Sequence, residues 1–333
     1  MRIQADGEFQ EPPQLSSLPA FHRDGAYAGI ASISRRSGNL KLTLTSLYNQ
    51  FDHIFVYLNG YDTVPDWLDQ PKITVFRSQD YLDLNATGKV YCAQYVDKGY
   101  YFTLDDDFIY PCNYVAHMVD TLKKYGNAVA ACVHGSIFPP LIDYYYLRTS
   151  IFQYQQSLDT DRYVCLPGTG SLAVAAGRLP LHLANFLPQV MVDLTFAILL
   201  KSYGIPLISV RRPTNWMQNT DRDGLYQQFT KGQTHHSVYA KEFEPWGFDQ
   251  YAPAILEVAR AAGVHDDLDR AQGLYMDVDA IWCAKEGRVP PAWKESPSYF
   301  MRVAEFYRDI KAVQSEPDTT DPIEPHRNNP DRR

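Results

Sequence analysis

The segment Tyr100–Pro111, YYFTLDDDFIYP, constrains the fold of this chain more than any other. Tyr100, Tyr101, Phe102, Thr103 and Leu104 run without a charge into Asp105, Asp106 and Asp107, and a second apolar group and Pro111 follow. An uncharged, β-prone run of this kind predicts a strand buried on both faces, as in parallel sheets, with the acidic triplet at its carboxyl end. That end is where open α/β sheets bind ligands. Three adjacent carboxylates repel one another, so such a rim calls for positive charge. A divalent cation is the simplest supply, because Mg²⁺ and Mn²⁺ prefer hard oxygen ligands and share them with substrate phosphates. The bland alternative is a solvated acidic turn.

The rest of the chain supplies the sheet that this strand needs. Ala26–Ser34 (AYAGIASIS) predicts a first buried strand and Arg35–Asn39 a loop, while Leu40, Leu44, Leu47 and Tyr48 mark one face of a helix. His53–Leu58 predicts a second strand ending at the turn-favouring pair Asn59-Gly60, and Lys72–Arg77 a third. Asn85–Val96, with Gly88-Lys89, is expected to open a helix into the acid-ended strand. A helix over Asn113–Tyr125 follows, with Val115, Met118, Val119 and Leu122 inward, then a strand over Ala128–His134 and an aromatic, loop-like region over 135–163. Gly168-Thr169-Gly170 precedes the small-residue run Ser171–Ala176. Val190–Tyr203 reads as a helix carrying Asp193, Ile205–Val210 as a strand, and 211–240 as mostly loop. This alternation predicts an α/β fold with a mostly parallel sheet and helical crossovers.

The expected organisation is an irregular lead-in over 1–25, an α/β domain over 26–245, a helical extension over 246–314 and a disordered tail over 315–333. A length of 333 residues suits one large α/β domain with additions, or two domains. The formal charge of −8 argues against broad nucleic-acid binding, which needs a basic face. Cys92, Cys112, Cys132, Cys165 and Cys283 are scattered and never in CxxC spacing, as expected of reduced thiols in a cytoplasmic protein. No apolar stretch approaches the length of a membrane span, and the N-terminus lacks the apolar segment of a signal peptide. Tyr299, Phe300, Val303, Phe306, Tyr307 and Ile310 form a stripe flanked by Arg302, Arg308 and Lys311. Such a helix suits peripheral contact with the inner membrane, or packing on the domain.

Taken in order, IASISRR, the helix of TLTSLYNQ, the strand end VYLNGY, a Gly-Lys, an acidic triplet after FTL and a late helix with Val192-Asp193 resemble the GT-A-fold glycosyltransferases. The resemblance covers about residues 26–240 and is nearest to family-2-like bacterial enzymes that build cell-surface polysaccharides. It implies a Rossmann-like sheet and transfer of a sugar from a nucleotide-sugar donor to a glycan or lipid-linked acceptor. It further implies that Asp105 and Asp107, the outer positions of a DxD pattern, hold Mn²⁺ or Mg²⁺ against the donor diphosphate. Asp106 can replace either in a second register. Asn59 stands where the family carries an Asp that reads the base, with Asp62 three residues on, and uracil is the common base. Ser34, Arg35 and Arg36 match the region beside base and ribose.

The chemistry implied needs a cation for the leaving diphosphate and a base for the acceptor hydroxyl. Lys89 is the nearest cationic candidate, with Arg212 and Lys231 behind it; a solvated lysine is the alternative for Lys89. Asp193 is the candidate base, since an isolated acid among apolar residues is costly to bury without a task or a partner. A helix-end residue satisfying backbone amides is its alternative. His235 or His236 would add a metal ligand, or both are exposed loop residues. Gly168–Gly170 would let backbone approach a sugar, or is a plain turn. Trp216 stacks on a sugar or packs. Two other functions fit the same residues. One is a sugar nucleotidyltransferase, disfavoured because SRRSGN after the first strand has a single glycine. The other is a catalytically inactive, glycan-binding protein on the same fold, disfavoured by the intact acids.

Overall fold

Four of the expected runs, three of them uncharged, become four adjacent parallel strands. They are β1 (Ala26–Ile33), β2 (His53–Asn59), β3 (Ile73–Arg77) and β4 (Tyr100–Leu104), in the order β3–β2–β1–β4. The computed structural model describes residues 21–138, 142, 145–146, 148, 150–186, 191–220, 234–244 and 246. Most of the expected lead-in, Lys231, the C-terminal extension after Trp246 with its Tyr299–Ile310 stripe, and the tail lie outside the described residues.

Helix α1 (Ser37–Leu47) carries the chain from β1 to β2 and buries Leu40, Thr43, Leu44 and Leu47, positions one turn apart on a single face. From β2 the chain winds outward to β3, then returns to β4 on the other side of β1. The direction of winding therefore reverses between β1 and β4, and the crevice beyond their carboxyl ends is where a doubly wound sheet takes ligands. The return passes over β1 so closely that a methyl group on Gly29 would collide with the Lys89 carbonyl. A side chain at that position would lift the crossing segment off the sheet.

That segment departs from expectation. Instead of one helix over 85–96 it forms two 3₁₀ turns, Asn85–Val90 and Ala93–Tyr95. Its backbone groups find partners elsewhere: the Tyr101 hydroxyl donates to the Lys89 carbonyl (2.8 Å), and Asn59 receives the Leu84 and Asn85 N–H groups. Gly88 lies against the Tyr57 ring. An α-helical ladder is thus not needed to satisfy these groups.

Beyond β4 the sheet continues through strands that are not all parallel. The turn after β4 leads to the short β5 (Phe108–Ile109) and to helix α2 (Tyr114–Lys124), whose Val115, Met118 and Leu122 are buried. Strand β6 (Ala130–Cys132) is followed by β7 (Gly135–Ile137) and β8 (Ser150–Phe152). Then come β9 (Arg162–Val164), β10 (Leu166–Pro167) and β11 (Ser171–Ala175). The aromatic region expected to be loop therefore contains strands, with β10, β7 and β8 forming a small antiparallel sheet. Helix α3 (Val192–Ser202), β12 (Leu207–Ser209), β13 (Gln218–Asn219) and α4 (Thr234–Lys241) complete the described elements.

The large sheet runs β3–β2–β1–β4–β11–β6–β12–β9. It is mixed but mostly parallel and flanked by helices; β11 is antiparallel to both its neighbours, β4 and β6. The core lies against it, with Phe102 fully buried between Phe51 (ring centroids 5.1 Å apart) and Tyr114 (6.0 Å). Helix α3 buries Leu194, Phe196, Ala197 and Leu200, so it is covered on most of its circumference. Among the described residues no helix is long and apolar enough to cross a membrane.

Candidate active site

The acidic triplet turns over at the end of β4 and is fixed through its backbone. The Asp105 N–H donates to the Tyr110 hydroxyl (3.1 Å), which in turn donates to the Gly170 carbonyl (2.5 Å). The Asp107 carbonyl accepts from both the N–H (2.7 Å) and the hydroxyl (3.0 Å) of Thr220. Thr220 itself takes a hydrogen bond from Asn39 (2.9 Å) on α1. The Asp105 N–H and the Asp107 carbonyl are thus satisfied by Tyr110 and Thr220 and not by the acidic side chains.

Positive charge reaches the triplet from two crossovers. Lys89, only 3% exposed, forms an ion pair with Asp105. Arg36, from the loop after β1, bridges Asp106 (3.0 Å) and Asp107 (3.3 Å). Three acids against two bases leave one negative charge. Burial raises the Asp106 carboxyl above its ordinary range, while Ser32 and Arg36 act in the opposite direction and Asp105 adds to the rise. The Asp105 side chain remains 39% exposed and so stays open to a ligand.

Asp193 enters the same electrostatic neighbourhood from the first turn of α3. Its Oδ1 accepts from the Thr169 N–H (3.1 Å) and the Thr169 hydroxyl (2.5 Å). Burial raises its carboxyl, Thr169 and Lys89 lower it, and Asp105 raises it. Its capping bonds therefore come from Thr169, not from the amides of its own helix. The next residue, Gly170, lies against Asp105 so tightly that an added methyl would overlap the carboxylate. The Gly-Thr-Gly segment is accordingly a joint between two acids, one held by Thr169 and one admitted by Gly170.

Other candidates go to different places. Asn59 is 3% exposed; its Oδ1 accepts from the Leu84 and Asn85 N–H groups (both 3.2 Å) and its amide donates to the Asn85 carbonyl (3.1 Å). That anchors the segment carrying Lys89 and leaves the side chain committed to backbone instead of a base. Asn59→Ala is expected to lower stability by about 1–3 kcal/mol, the cost of orphaning buried groups. A melting curve checks this, and an unchanged midpoint would remove the anchoring role. Ser34, Arg35 and Asp62 are exposed around the mouth of the crevice. Tyr61, which the sequence does not single out, is buried with its hydroxyl 3.0 Å from Ser32 and within the field of Asp106.

Arg212 is drawn away from the triplet. Its guanidinium donates to Ser209 (3.1 Å) and to the carbonyls of Val210 (2.8 Å) and Gln153 (2.7 Å), so it braces the strand ends. His236 is buried in α4 with its ring 5.6 Å from Tyr145, in an aromatic group with Phe138 and Trp246. His235 shares that helix, and its side chain lies outside the described residues. Trp216 packs on Tyr114 (5.7 Å) and His117 (4.8 Å). Among the described residues, no group of three or more His, Cys, Asp or Glu is placed to hold a metal ion.

No protein-family model and no curated protein sequence matches this chain. A crystal structure of 4-diphosphocytidyl-2C-methyl-D-erythritol synthase is similar at 12% identity with a TM-score of 0.33, covering 66% of this chain and 97% of that one. A likeness of that degree says nothing of the reaction.

Proposed function

We propose that this chain is a metal-dependent glycosyltransferase that moves a sugar from a nucleotide-sugar, with UDP as the expected carrier, onto a glycan or lipid-linked acceptor of the kind used in bacterial surface polysaccharide synthesis. The observation that carries the proposal is the pairing of two differently built acid sites in one crevice. Asp105–Asp107 end β4 beside Lys89 and Arg36, and a separate, half-buried Asp193 is bonded by Thr169, next to the Gly170 that packs on Asp105.

The donor set fits a divalent cation of one particular mode. Mg²⁺ and Mn²⁺ commonly take one or two carboxylates and complete their shell with phosphate oxygens and water. Asp105 and Asp107 would hold such an ion, which as a Lewis acid would neutralise charge on the departing diphosphate. Lys89 and Arg36, already at the rim, add fixed positive charge to the same place. Asp193, with Oδ1 occupied by Thr169, offers its other oxygen to an acceptor hydroxyl. In the proposed step the hydroxyl oxygen attacks the anomeric carbon, the bond from that carbon to the diphosphate breaks, and the hydroxyl proton passes to Asp193. Direct displacement of this kind inverts the anomeric centre.

A panel of nucleotide-sugars incubated with Mn²⁺, with nucleoside diphosphate release followed with and without EDTA, tests the proposal. Metal-dependent release from one donor is expected. Undiminished release in EDTA would remove the metal from the mechanism. Pyrophosphate release from a nucleoside triphosphate and a sugar phosphate would instead make the chain a nucleotidyltransferase, and glycan binding without turnover would make it a binding protein.

A further inference from the structure

A second concavity, of about 740 Å³, lies beside the charged crevice and differs from it in chemistry. Ile151 of β8, the turn residues Gln155, Gln156 and Ser157, and Thr214 and Asn215 opposite them form its walls. None of its nine lining residues is charged, in a chain of formal charge −8 whose neighbouring crevice is crowded with ions. Six of the nine carry an amide or hydroxyl, offering donors and acceptors together, and Ile151, Phe152 and Leu158 give the lining at least as much apolar as polar surface. Ile151, 46% exposed, adds an apolar face. An ionic ligand finds no counter-charge there, and an acyl chain would leave the amides unpaired. A neutral polyhydroxyl compound, polar at its edges and apolar across its ring faces, matches both features.

The groove is braced and leads to the acids. The Asn215 N–H donates to the Gln155 carbonyl (2.8 Å), tying the two walls together, and Arg212 grips the Gln153 carbonyl beneath them (2.7 Å). Both walls then run to the triplet. Tyr154, between groove and crevice, packs edge-on against Phe108 (4.9 Å) and lies in the field of Asp107. The other wall continues into β13, which pairs with β5, and into Thr220, which holds the Asp107 carbonyl. We infer that this groove is the acceptor subsite and that it selects an uncharged oligosaccharide, delivering a terminal hydroxyl past Tyr154 to the acids; the inference rests on the glycosyltransferase reading above.

Ser157→Trp and Thr214→Trp, both at exposed positions, would fill the groove without touching the charged residues. In the full chain, each is expected to raise the KM for a neutral oligosaccharide acceptor by about tenfold or more, equivalent to losing one or two hydrogen bonds. Donor hydrolysis without acceptor should be unchanged in both. Saturation-transfer NMR with gluco-, manno-, galacto- and N-acetylglucosamine-based oligosaccharides should show contacts in the wild type that both variants lose. Normal donor hydrolysis with acceptor KM and NMR contacts unaltered in both variants would overturn the groove and leave the reaction standing. If no nucleotide-sugar is hydrolysed, the reaction fails, and loss of oligosaccharide contacts in the variants would still support the groove. Wild-type binding confined to acidic oligosaccharides, or absent altogether, overturns it.

Discussion

Asp193→Asn is expected to lower turnover by roughly 10²–10⁴-fold, the usual contribution of general acid–base catalysis, while donor affinity stays near that of the wild type. Asparagine keeps the shape and the Oδ1 acceptor that Thr169 binds, but it cannot take a proton. The donor is expected to be held by the triplet, Lys89 and Arg36, none of which the substitution touches. The raised carboxyl adds a pH signature. The wild-type rate should climb with pH through a value above the ordinary 3.8, and that limb should vanish in the variant. Stability moves the other way. A carboxyl raised by burial favours its neutral form, so the fold loses stability as pH rises from 3.8 through the raised value. The variant escapes that loss and should melt no lower than the wild type at neutral pH. Calorimetric donor binding, melting temperature and turnover on one preparation decide the matter. Near-normal turnover with a lowered melting point would leave Asp193 structural.

Gly170→Ala should abolish most activity through a different route. Its φ is not in the left-handed region, so the backbone accepts alanine; the obstacle is the Asp105 carboxylate, which the new methyl would overlap. Asp105 has a short side chain and must rotate away, loosening its pair with Lys89. Displacing a group that stabilises transition-state charge commonly costs on the order of 10²–10³-fold in turnover. Dependence on Mn²⁺ concentration should move as well, with more metal needed for half-maximal rate, whereas Asp193→Asn leaves that requirement alone. Equal metal requirement and turnover in Gly170→Ala and wild type would mean that Asp105 plays no part in either.

The first half of the sheet is legible in the sequence because β1, β2 and β4 are uncharged runs of five to eight residues, and α1, α2 and α3 show helical spacing, whereas β6, β9 and β12 are only three residues each. The direction of β11 is not legible. Ser-Leu-Ala-Val-Ala reads alike either way up, and orientation is decided by the partners β4 and β6. The crossing segment misleads for a related reason: Asn59, which accepts from N–H groups at its start, and Tyr101, which donates to its Lys89 carbonyl, lie on other strands. Charge is legible by type but not by address. Arg36 and Arg212 both follow strands, yet one meets carboxylates and the other meets carbonyls, because different loops close over them. Thr169 leaves no local mark, since its significance arises only when α3 brings Asp193 within reach.

The inverted strand β11 also governs the order in which a growing chain can become a protein. As synthesis proceeds, β4 can pair with β1 at once, but its other edge waits until β5 through β10 and α2 have been made and Ser171–Ala175 arrives. Until then a flat, apolar strand ending in three acids stands open to any passing strand. Strand β6 is equally stranded, since β11 joins the two halves of the sheet. Interruption of synthesis shortly before residue 171 should therefore yield more aggregate than a pause beyond residue 209, by which point β12 has also covered the other edge of β6. The acids at the end of β4 would serve the nascent chain before they serve any substrate, as like charges that keep unfinished copies apart.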